Sequence, residues 1–302
     1  EPLEKNVMTE EVRDSFPQKY LESICEENGH IYSVPFQMDI MMFWVNQELL
    51  KQAGLDEIKN TGDFDILQKS LKNPDQYAYG DAWENTHVYN SLSQFVNFWG
   101  GDYFDWTDPK TKDAARYMKS MLDEKITSPA QFVDQYEQME EKFIRGKYGC
   151  VFMYTSALGT FLDADVYGKN KIHMAPLPVL HKKKATNIAT WQYVLNNASE
   201  NKDAAGRFLQ YAAGYEGSTE YAKIMKSYPA RVDVIENEDI DLEGIDMIRK
   251  YLREYTLNAR PLCENSMGAV SDMGKLFQGY VLGQCEEDSF FEQAQNCINT
   301  YY

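Results

Sequence analysis

Tyrosine dominates the aromatic content of this chain, with 21 Tyr beside 15 Phe and 5 Trp. Tyr and Trp join a flat apolar face to a polar handle, so they stack on the CH faces of a ring and hydrogen-bond its edges. Several sit beside polar groups that suit the recognition of hydroxyls. Asp39 is the one acidic residue in an apolar and aromatic stretch, read as a turn between two strands. Its carboxylate would accept two hydroxyl hydrogens, or else cap a helix or hold a salt bridge. Trp83, Asn85 and His87, with Glu84, follow a predicted strand and open a helix. Loops at the carboxyl ends of strands are where open α/β sheets bind ligands. Trp83 reads as a stacking platform, with core packing as its alternative. Tyr154 and Ser156 lie at the next such strand end. Trp191 is a second platform. Arg260, held by Pro261, would donate a bidentate pair of hydrogen bonds or pair with a surface carboxylate. Trp44, Trp99 and Trp106 read as structural.

Covalent chemistry is not signalled. The chain has no Gly-x-Ser-x-Gly, no P-loop and no Gly-x-Gly-x-x-Gly. The four His, at 30, 87, 173 and 181, lack ligand spacing, so no metal site and no cofactor are expected. The five Cys form no Cys-x-x-Cys pair, and their odd number leaves at least one free thiol. Cys25 and Cys150 lie among apolar neighbours and read as small core residues. A glycosidase needs two carboxylates facing each other across roughly 5 to 9.5 Å. Asp39 and Glu84 are the pair to nominate.

The elements that must position these groups alternate between helix and strand over 302 residues, which indicates an α/β fold of two domains or one large unit. Amphipathic Val12–Cys25 predicts a helix. Ile31–Val34 and Met41–Val45 predict strands, and Asn46 and Gly54 bracket a helix as N-cap and C-terminal glycine. Asp108-Pro109 is a strong helix start. Gly100-Gly101 and Gly146 close two further helices. Cys150–Tyr154, Ile172–Ala175 and Trp191–Leu195 predict strands, and Ile245–Asn258 a helix. A formal charge of −17 argues against nucleic acid, because phosphate contacts need clustered Lys and Arg. Lys182-Lys183-Lys184 is the single basic run and reads as a solvated turn. No apolar run approaches the ~20 residues that span a bilayer.

A series of elements resembles the extracellular solute-binding proteins (family 1) that serve sugar-importing ABC transporters. Gly29 to Leu55 is similar to that family's lobe-crossing segment. Phe143-Ile-Arg-Gly146-Lys147-Tyr-Gly149-Cys150 resembles its F-x-x-G-k-x-A-M element, with Gly-Cys in place of Ala-Met. Pro176-Leu-Pro178 is like its P-l-P. Thr190 to Leu209 resembles the return strand and the helix beyond it. Tyr228-Pro229-Ala230-Arg231 matches g-x-x-P-a-r, and Ala259-Arg260-Pro261 with the last two helices resembles the closing segment. The family carries further residues ahead of the counterpart of Glu1, including the first strand and helix of lobe one.

The resemblance implies a two-lobed periplasmic-binding-protein-like fold (type II), with several chain crossings in the hinge and an N-terminal truncation. Lobe one, incomplete, would comprise residues 1–41 and 190–240. Lobe two would comprise 42–189 and 241–302. It implies a non-enzymatic receptor that captures a carbohydrate, an oligosaccharide, between its lobes and hands it to ABC permease subunits. The location would be periplasmic or extracellular, as a monomer, with the membrane reached only through a lipid anchor outside this chain. Receptors for peptides, polyamines or glycerol phosphate remain alternatives, as do a glycoside-acting enzyme and a surface adhesin.

Overall fold

The computed structural model describes residues 1–261 and 263–302, the side chain of residue 19 apart. The chain divides into two compact units. Unit one holds Glu1–Ile40 and Asn187–Leu262, and unit two holds Met41–Thr186 and Cys263–Tyr302.

Eight strands carry the described residues' sheet structure. In unit one, β1 (Glu26–Glu27) and β2 (His30–Ile31) form a small antiparallel ribbon. The long strand β3 (Ser33–Asn46) begins in unit one and continues into unit two. Nearly all its residues are buried, which explains the apolar run Ile40–Val45: a strand covered on both faces has no reason to alternate. The residue pattern here predicts a turn between two strands, with Asp39 on it. The structure corrects this, because the chain stays extended and Asp39 pairs with Ala189 inside the ladder. Pro35, which lacks an N–H to donate, is absorbed instead by a register shift between Pro35 and Gln37.

Unit two is built on β4 (Tyr77–Gly80), β5 (Tyr148–Tyr154), the second half of β3 and β6 (Ile172–Ala175), in the order β4-β5-β3-β6. β4 and β5 are parallel, so their carboxyl ends lie at the same edge. Asn46 caps helix Gln47–Gln52, its side-chain oxygen accepting from Glu48 N and Leu49 N at 3.2 Å each. Asp108 caps Pro109–Asp123 in the same way. Gly100 ends Val88–Trp99 with φ +74°, a left-handed conformation open to glycine at no steric cost. Helices Ser266–Val281 and Glu287–Tyr301 return to this unit. Trp44 and Trp106 are fully buried in it, as their structural reading requires. The Trp44 indole donates to Met153 O at 2.9 Å.

In unit one, the first half of β3 pairs antiparallel with β7 (Ala185–Val194), and β8 (Thr256–Asn258) borders β7 on its other side. Two expectations change here. The helix over Val12–Cys25 is broken into Glu10–Arg13, Gln18–Tyr20 and a π-helical turn Leu21–Cys25. Pro17 is the cause, since it cannot donate to the preceding turn and it disfavours helical backbone at Phe16. Residues 241–262, expected in lobe two, cluster with unit one. Helix Ile245–Glu254 is tied to the neighbouring Val232–Glu236, with the Arg249 guanidinium donating to Ile235 O and Asn237 O at 2.8 Å each. After Glu254 the chain turns into β8, which adds to the unit-one sheet.

Candidate functional site

The expected ligand groups divide between the units. Trp83, Asn85, His87, Tyr154 and Ser156 belong to unit two, and Asp39, Trp191 and Arg260 to unit one.

In unit two the loop after β4 is organised by Asp81. This buried carboxylate accepts from Tyr79 Oη, Trp83 Nε1 and Ala82 N, each at 2.8 Å. Burial pushes its pKa up to about 6, against the opposing pull of the Trp83 and Tyr79 donors. Trp83 is therefore not a stacking platform. It is fully buried, with its ring edge-on to Phe132 and Phe277 at 5.5 and 5.4 Å. An acceptor two residues upstream satisfies its N–H, which lets the whole indole enter the core.

The rest of the loop is braced as well. Trp83 N donates to Gln131 O and Glu84 N to Asp134 O. Asn85 donates to Ser271 Oγ at 2.7 Å. A Cβ placed on Gly274 would lie 2.0 Å from Asn85 O, so helix Ser266–Val281 approaches the loop as closely as a glycine allows. Glu84 accepts from Thr86 N at 2.9 Å and from Thr86 Oγ1 at 2.5 Å, and lies 3.0 Å from His87 Nδ1. Burial raises the Glu84 pKa, but these donors outweigh it and hold the carboxyl below the usual range. Asn85 and His87 are half-buried and engaged within the loop.

At the carboxyl end of β5, Tyr154 is half-buried and Ser156 exposed. Tyr154 N donates to the Tyr136 hydroxyl, and the two rings stack at 6.2 Å. Tyr154 Oη lies 3.4 Å from Asn90 Oδ1. Tyr136 and Asn90 thus join Tyr154 in one polar and aromatic group, and sequence reasoning missed both. Tyr136 opens a helix whose capping box, Gln135 with Gln138, is a legible signal for the helix but not for the role of the tyrosine.

In unit one, Asp39 is buried in β3. Trp191 lies on β7 opposite Gln37 and is 63 % exposed. Gln37 accepts from Tyr221 Oη at 2.6 Å. Phe36 stacks on Tyr193 at 4.2 Å, and Tyr193 meets Phe208 of helix Lys202–Ala213 at 5.4 Å, so aromatic contacts join this part of the sheet to that helix. Arg260 follows β8 and is half-buried. The nominated glycosidase pair is split, with Asp39 in unit one and Glu84 in unit two. Among the described residues no three His, Cys, Asp or Glu side chains gather into a metal site, and no helix is long and apolar enough to cross a membrane.

The bacterial extracellular solute-binding protein family matches residues 2–219. The chain belongs to this family. Its members are binding receptors of ABC transporters, not enzymes. Among curated relatives, a probable amino-acid ABC transporter periplasmic-binding protein of Sinorhizobium fredii is 24% identical over 239 residues, which are 75% of this chain and 54% of the relative. An arabinooligosaccharide-binding protein of Bacillus subtilis is 23% identical over 248 residues, 77% of this chain and 56% of the relative. The chain therefore spans about half the length of these relatives. A Thermotoga lettingae ABC transporter solute-binding protein, solved with α-D-tagatose, superimposes with a TM-score of 0.84 at 16% identity, covering 99% of this chain and 79% of that one. This likeness establishes the two-lobed α/β fold of the solute-binding proteins.

Two family elements of this solute-binding protein acquire physical reasons. The Arg231 guanidinium that ends Tyr228-Pro-Ala-Arg is nearly enclosed. It donates to both Asp233 carboxylate oxygens, to Ala213 O and to Ser15 Oγ. Gly149 stands where Ala is usual because a Cβ there would meet Leu67 Cδ2 at 2.5 Å and Ala78 O at 3.0 Å.

Proposed function

We propose that the chain is the ligand-capturing part of a receptor for a neutral, hydroxyl-rich carbohydrate, an oligosaccharide, that it delivers to the permease subunits of an ABC importer. Trp191 carries the reading. A large indole left 63 % exposed on a paired strand is a ready platform for a sugar face. The polar groups at the end of β5, namely Tyr154, Tyr136, Asn90 and Ser156, are phenol, amide and hydroxyl, the chemistry that hydroxyls need. Asp39, Asn85, His87 and Arg260 complete the proposed ligand set, and the fully buried Trp83 lies outside it. The tagatose-bound neighbour and the arabinooligosaccharide-binding relative support a sugar. The receptor works outside the cytoplasmic membrane as a monomer. The lobes are assigned as the two compact units.

One relative favours a second reading, because the Sinorhizobium fredii protein is named for amino acids. A thermal-shift panel separates the two. It contains arabinooligosaccharide, maltose, D-tagatose and D-mannitol against the common amino acids. Ligand at a hundredfold excess over Kd stabilises the folded state by about 2.7 kcal/mol. That raises Tm by roughly 5 °C in a protein of this size. A shift with a sugar and none with amino acids supports the proposal. A shift with amino acids alone replaces it.

A further inference from the structure

On a strand, successive side chains point to opposite faces. Thr190 and Gln192 therefore face away from Trp191, and both are anchored to one phenol. Tyr20 is buried, and its hydroxyl accepts from Thr190 Oγ1 and, at 2.7 Å, from Gln192 Nε2. The other end of the Gln192 amide accepts from Ser33 Oγ and, at 3.6 Å, from Cys25 Sγ. The two residues flanking Trp191 are thus held by a closed polar cluster, while Trp191 itself is paired with Gln37.

A phenylalanine would fill the space of Tyr20 equally well. The hydroxyl is explained by the two donors it receives, and both donors bracket Trp191. Burial pushes the phenol pKa up to about 12, so it stays neutral at any working pH. The backbone is adapted to this contact too. Tyr20 and Cys25 bound the π-helical turn Leu21–Cys25, an irregularity that is rare and concentrates at functional sites.

We propose that Tyr20 is a positioning residue: through Thr190 and Gln192 it fixes the segment of β7 that presents Trp191. This rests on the reading of Trp191 as a sugar platform.

The test is a double-mutant cycle with a fluorescence arm. Trp44, Trp83 and Trp106 are fully buried and Trp99 nearly so, so acrylamide-quenchable emission reports Trp191. In Tyr20→Phe that emission is expected to lose anisotropy and quench faster. Affinity for arabinooligosaccharide, or for the panel sugar with the largest thermal shift, should fall by about fivefold, the equivalent of one hydrogen bond. In a Trp191→Ala background, adding Tyr20→Phe should change affinity by less than about twofold, because the route of coupling is gone. Thr190→Val, which removes one donor only, should give the same pattern at smaller amplitude and keeps the test available if Tyr20→Phe fails to fold. Unchanged Trp191 emission overturns the proposal, as does an equal loss of affinity in both backgrounds. If Trp191→Ala alone binds sugar as the wild type does, the platform reading fails first and this proposal falls with it.

Discussion

The indole N–H of Trp83 is bonded to a carboxylate, Asp81 Oδ2 at 2.8 Å, and both side chains are buried. An isolated carboxylate in such a place would be costly. Three surrounding donors make it tolerable, and burial still raises its pKa to about 6. The folded-state value lies above the ordinary one of 3.8, so the group holds its proton more tightly when folded. Its contribution favours the folded state at low pH and is lost as pH rises through about 6. Wild type and Asp81→Asn should therefore differ in the pH dependence of unfolding. Between pH 7 and pH 4 the wild type should gain on the order of 2 to 3 kcal/mol relative to the variant. Urea denaturation of both proteins at the two pH values checks this. A constant difference would show that Asp81 does not titrate there.

Trp83→Phe keeps most of the buried ring but removes one of the donors to the Asp81 carboxylate, leaving Oδ2 with the Tyr79 hydroxyl alone. It should cost about 1 to 3 kcal/mol of stability, and Trp83→Ala about 3 to 5 kcal/mol through the added cavity. Neither should change the sugar affinity of the protein that remains folded, because Trp83 is enclosed by Phe132 and Phe277. Denaturant melts and binding isotherms on the same samples test both statements.

Gly274→Ala is expected to be disproportionately damaging for a single methyl group. The new carbon would lie 2.0 Å from Asn85 O, and neither backbone yields cheaply. A loss of roughly 2 kcal/mol or more is expected, through displacement of the loop that carries Asn85 and His87. Gly279→Ala, in the same helix with nothing nearer than 3.9 Å, is the control and should be neutral or slightly stabilising. Equal Tm values for the two variants would contradict the close approach.

Much of the scaffold is legible in the sequence because its signals are local. Asn46, Asp108-Pro109 and Gly100 end or begin helices through backbone groups within a few residues of themselves. Ile172–Ala175 forms the strand predicted over the same residues. The site is less legible because its members are chosen by distant partners. Trp83 is core because Phe277, far along the chain, closes over it. Tyr136 stands beside Tyr154 only because a helix start and a strand end meet. Asp39 lies in a strand and not on the expected turn, because a proline in sequence does not reveal whether a strand ends or bulges around it.

A calorimetric titration of wild type and Trp191→Ala with the panel sugars tests the proposal that this solute-binding protein holds a sugar against Trp191. Saturable binding to the wild type is expected, with the sugar recovered chemically unchanged, together with a loss of at least about 1 kcal/mol in Trp191→Ala, the cost of a lost stacking ring. No binding of any sugar, or equal affinity in the two proteins, would contradict it.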